Sequence, residues 1–140
     1  MNKVNSLLLV LVTTLLFVGC KKDEDAEPDN LPIGRTWKIT QLVLSTSIGG
    51  TVDQIPTMAT CDADDIFRFR DDATYVRDEG ASKCNATDPQ IVEQGTWFKD
   101  GNTFTWDGDD YTIEELNRQR FKLKASNAAG SSITITFTAQ

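Results

Sequence analysis

The residues able to do chemistry in this chain are three cysteines, Cys20, Cys61 and Cys84, and two tight carboxylate groups, Asp62-Ala63-Asp64-Asp65 and Asp107-Gly108-Asp109-Asp110. Thiolates attack carbon, hold soft metals or pair as disulfides; clustered carboxylates exchange protons or ligate calcium. What is missing narrows the field. The 140 residues contain no histidine, which removes the commonest general base and the commonest metal ligand. The serines and threonines therefore lack their usual activator. No C-x-x-C spacing exists, and the second aspartate group lacks the glycine and glutamate spacing of a calcium loop. Both acidic groups sit among turn residues, where solvated carboxylates are ordinary. No catalytic residue, metal site or cofactor is assigned, and the chain reads as a non-enzyme.

Cys20 is set apart by its context. Residues 1–6 carry one cation, Lys3, and 7–18 form an apolar run that ends at Gly19-Cys20. The run is shorter than the ~20 apolar residues of a membrane-spanning helix and suits a secretory signal. Leu16-Phe17-Val18-Gly19-Cys20 resembles the bacterial lipobox, with Phe17 where that pattern usually has Leu. The resemblance implies a signal peptide over 1–19 and a mature N-terminus at Cys20, diacylated through sulfur and carrying fatty acids of the palmitate kind. The competing reading is an unpaired thiol in an ordinary cleaved signal.

Residues 20–30, with Lys21-Lys22-Asp23-Glu24-Asp25 and then Ala26-Glu27-Pro28-Asp29-Asn30, have too little apolar area to offset the entropy of ordering and read as a flexible tether. The lysine-plus-acid run resembles the export signal of Bacteroidota lipoproteins bound for the outer face of the outer membrane. A plain solvated linker in the periplasm is the alternative. The membrane is thus an expected partner through lipid. The net charge of −7 argues against nucleic acid and against adsorption onto anionic head groups.

With Cys20 assigned to lipid, Cys61 and Cys84 remain, in a compartment where disulfides persist. Between them Ile66-Phe67-Arg68-Phe69-Arg70, the turn Asp71-Asp72-Ala73 and Thr74-Tyr75-Val76-Arg77-Asp78 read as a β-hairpin. Folding it brings the two cysteines together just beyond its open end. A structural disulfide is predicted there, stabilising by ~3 kcal/mol in the chain-entropy picture.

The elements that position these groups are written in period two, which puts one face on a core and the other in water. Phe104 and Trp106 alternate with threonines, Phe121 and Leu123 with lysines, and Ile133, Ile135 and Phe137 with threonines. Eight strands are predicted, over 36–46, 65–70, 74–79, 92–99, 103–107, 111–116, 120–125 and 132–138, with no helix after residue 31. Short connections demand an up-and-down order, so one domain over 31–140 is expected. It should be an all-β, eight-stranded antiparallel barrel, with a two-sheet sandwich as runner-up.

Several segments resemble one family. Gly34-Arg35-Thr36-Trp37 is similar to the glycine–tryptophan start of lipocalins, with one extra residue between the two. Gly95-Thr96-Trp97-Phe98, Gly101-Asn102-Thr103-Phe104 and Phe67-x-Phe69 resemble the lipocalin-like domain of Bacteroidota lipoproteins. Ala73 departs from the glycine expected in the first hairpin turn, so another turn type is anticipated there. The resemblance implies a lipocalin-like barrel that holds one small hydrophobic or amphipathic molecule.

The candidate interior residues are Trp37, Phe67, Phe69, Trp97, Phe104, Trp106 and Tyr111, with Ile39, Phe121, Ile135 and Phe137 beside them. An entrance is expected between the connection 48–60, carrying Ile48, Ile55, Pro56 and Met58, and the loop 80–90. So many bulky groups would equally fill the interior. The chain would then be a structural module that docks another envelope protein.

Overall fold

The computed structural model describes residues 32–140. The expected signal peptide, the lipid site Cys20 and the tether lie outside them. Nine strands make one antiparallel sheet: β1 Trp37–Ser45, β2 Thr51–Asp53, β3 Ile66–Phe69, β4 Thr74–Asp78, β5 Ile91–Asp100, β6 Thr103–Trp106, β7 Asp109–Leu116, β8 Arg120–Ser126 and β9 Ser132–Ala139. From β3 to β9 each strand pairs with its neighbour in sequence. β1 then pairs with β9 from Trp37↔Ala139 to Ser45↔Ser132 and closes the sheet into a ring. The other edge of β1 is divided. Trp37 and Lys38 pair with Phe67 and Ile66 of β3, whereas Val43, Leu44 and Ser45 pair with β2.

Nine strands replace the eight expected. β2 has no apolar alternation of its own; it becomes a strand because the turn at 46–50 folds it back onto β1, with the Thr46 amide donating to the Gly50 carbonyl at 2.8 Å. Two short helical pieces also appear, a 3-10 turn Ile55–Thr57 and α1 Thr60–Ala63. Each is too short to show a helical period. β7 starts at Asp109 rather than 111, because Asp107 (φ 49°) and Gly108 (φ 91°) suffice for a two-residue turn between Trp106 and Asp109.

Ala73 does take the left-handed conformation, φ 62°, instead of a different turn. Its surroundings hold it there. Asp72 Oδ1 accepts the Thr74 amide at 3.0 Å, and the Ala73 carbonyl accepts the Trp97 amide at 2.9 Å. The Trp97 indole N–H is shared between the carbonyls of Arg70 (3.1 Å) and Thr74 (3.0 Å). Trp97 therefore clamps the first hairpin turn while its ring packs against the core.

Alternation builds the core as expected. Trp37, Phe67, Phe69, Tyr75, Phe104, Ile113, Phe121, Leu123, Ile135 and Phe137 are buried together. Phe69 is the hub: its ring lies 5.4–6.2 Å from those of Tyr75, Trp97, Phe104, Trp106, Phe121 and Phe137. Most of these pairs are edge-to-face, the arrangement aromatic quadrupoles favour, and each adds about 0.5–1.5 kcal/mol beyond area burial. One part of the ring's interior is thus filled with side chains, and the Trp37 indole there donates to the Pro32 carbonyl at 2.8 Å.

Candidate functional site

Another part of the interior is open. A cavity of about 300 Å³ is lined by Ile39 and Leu42 from β1, Phe67 from β3, Arg77 from β4, Glu93 from β5, Trp106 from β6 and Ile135 from β9. Ile55 and Met58, in and just after the 3-10 turn, complete the lining with Asp62 and Ala63 of α1 and Asp65. A register shift between Ile39 and Gln41 explains how two β1 residues three apart reach the same cavity. The extra residue resets the alternation, so Leu42 rather than Gln41 joins Ile39 on the inside.

One corner of the cavity is polar. Arg77 Nε donates to Asp65 Oδ2 at 2.6 Å, its two terminal nitrogens lie 3.4 Å from Glu93 Oε2 and 3.8 Å from Asp62 Oδ1, and Asp65 is only 4% exposed. Burial raises the Asp65 pKa and outweighs the opposing hydrogen bond and charge of Arg77, with Glu79 and Asp62 adding to the rise. For Arg77, burial works against the charge, yet Asp65 and Glu93 hold its pKa above the ordinary value. The second carboxylate oxygen of Asp65, Oδ1, has no hydrogen-bond partner among the described residues.

The polar corner continues outward through Tyr75, which is fully buried. Its hydroxyl lies within hydrogen-bond distance of two carboxylates, Glu93 and Asp107 Oδ2 (2.6 Å), and its single hydrogen serves one of them at a time. Burial, then the bonds to Asp107 and Glu93, push the phenol pKa well above its usual 10.0. Asp107 Oδ1 accepts the Thr96 amide at 2.9 Å, and the Tyr75 and Thr96 donors lower the Asp107 pKa.

Of the seven aromatic candidates, Phe67 and Trp106 line the cavity. Trp37, Phe69 and Phe104 are packed into the filled part, and Trp97 stacks on Phe104 with centroids 5.6 Å apart. Tyr111 rests against Trp106 at 6.2 Å. Of the connection 48–60, Ile55 and Met58 line the cavity, whereas Ile48 is 95% exposed. Residues 80–90 do not line it but act through the disulfide. Cys61 and Cys84 sulfurs sit at bonding distance, 1.93 Å, and tie α1 to that loop. The one grouping of metal-ligating types among the described residues, Cys61, Asp62 and Cys84, thus has both sulfurs engaged in the disulfide.

Nothing in the sequence marks Asp65, Arg77 and Glu93 as a unit; Arg77 and Glu93 are direct partners across β4 and β5, and Asp65 stands just before β3, the other neighbour of β4. The inward placement of Ile39 and Ile135 was legible from alternation. No family model matches the chain, and no curated protein matches it.

Proposed function

We propose that the ring is an eight-stranded, up-and-down barrel of lipocalin-like type that binds one small hydrophobic or amphipathic molecule. On this reading β1 and β3 to β9 form the wall in chain order, and β2 is a side hairpin on β1. The observation that carries the ligand reading is the cavity itself: apolar walls, a convergent polar corner and about 300 Å³, the low end of pocket sizes that hold small ligands. The chain acts as a binding protein rather than an enzyme. The Gly19-Cys20 pattern and the charged run 21–25 support a lipid-anchored outer-membrane protein facing the cell exterior.

The second reading, docking to another envelope protein, draws on exposed Phe98 and Ile48. Native mass spectrometry of the full chain, purified gently from its source membranes, separates the two. Capture predicts a retained small-molecule adduct that disappears in Ala63→Leu, which adds bulk to the cavity lining. A bare protein that co-purifies with an envelope partner overturns the capture reading. The same spectra report the mass of the acyl groups on Cys20.

A further inference from the structure

We infer that the cavity selects an apolar-bodied molecule with a cationic head and rejects its carboxylate counterpart. This rests on the capture reading and specifies its ligand. The lining carries one cation, Arg77, against three carboxylates, Asp62, Asp65 and Glu93. The guanidinium charge is already outnumbered by its neighbours. Nε is held by Asp65 at 2.6 Å, and the two terminal nitrogens face Glu93 at 3.4 Å and Asp62 at 3.8 Å.

An entering carboxylate would have to share this one cation with three carboxylates already beside it. Like charges at such separations repel, and the low-dielectric walls screen them poorly. Buried Glu79 deepens the negative field at Asp65. An ammonium head meets the opposite situation. Glu93 and Asp62 line the cavity and keep side-chain exposures of 40% and 46%, so their negative charge faces a ligand head from where they already stand. Oδ1 of buried Asp65 is an acceptor still without a donor. Phe67 and Trp106 in the wall are the ring types that attract cations.

Calorimetric titration of the full chain with phenylbutylamine, phenylbutanol and phenylbutanoate tests this, because the three share one apolar body and differ in head charge. The amine should bind at least about tenfold tighter than the carboxylate, with the alcohol between them. Glu93→Gln and, separately, Asp62→Asn should each bring the amine toward the alcohol. Thermal melts confirm that the variants fold, and Asp62→Asn serves alone should Glu93→Gln disturb Tyr75. Carboxylate binding as tight as the amine, with the alcohol also bound, overturns the charge selection and leaves the capture reading standing. Failure of all three to bind overturns both.

Discussion

The carboxylate of Asp107 occupies the space that a side chain on Gly95 would need: a Cβ at position 95 would lie 2.1 Å from Asp107 Oδ1. The glycine of the Gly95-Thr96-Trp97 motif is thus explained by close approach. It lets Asp107 reach across to the Thr96 amide and the Tyr75 hydroxyl at once.

Gly95→Ala forces that carboxylate aside and should cost about 1–3 kcal/mol of stability, the usual range for overpacking. Urea unfolding measures it. In an Asp107→Gly background the added methyl meets no carboxylate, so the cost should shrink; equal costs in both backgrounds would show that the two residues are not coupled.

The two tyrosines of the chain make a clean alkaline probe. Tyr75 is raised by burial and by its carboxylate partners, Tyr111 by burial and Asp109. A folded pKa above the unfolded 10.0 means stability that is fully present below pH 10 and lost as pH rises past it. Tyrosinate absorbance should therefore stay absent just above pH 10 while the fold persists, then rise together with loss of the near-ultraviolet dichroism. Early ionisation of either tyrosine in an intact fold would contradict the burial described here.

Ala73 spends its time at φ 62°, a region that disfavours any Cβ. Ala73→Gly should raise the unfolding free energy by about 0.5–1 kcal/mol, since the Trp97 clamp already fixes the turn. A chemical-denaturation midpoint that falls instead would mean that the unfolded-chain entropy of glycine dominates.

Reduction of the Cys61–Cys84 bond should lower stability by about 3 kcal/mol, the entropy of a loop spanning 23 residues. It should also increase hydrogen exchange in α1, whose Asp62 and Ala63 line the cavity. Unchanged α1 protection after reduction would leave the bond with a global role only.

Much of this is legible in the amino-acid sequence. Alternation placed Phe104, Phe121, Leu123, Ile135 and Phe137 inside, and hairpin geometry brought Cys61 to Cys84. What escaped sequence reasoning has physical causes. Leu42 faces inward only because a bulge shifts the period. β2 is a strand by virtue of its partner, not its composition. That aromatic residues would fill part of the interior was foreseen, and five of the seven candidates lie in that packing, away from the cavity lining. Asp65 read as one of a group of solvated turn carboxylates, and no motif joined it to Arg77 and Glu93.

The divided edge of β1 gives the wall an uneven seam. It is stitched to β3 at Trp37 and Lys38 alone, while its seam with β9 runs the length of the strand. Breathing of the backbone starts at the shortest stitch, and that stitch ends beside Ile39, on the cavity side. The ring can therefore loosen between β1 and β3 while the long seam of β1 with β9 stays sewn.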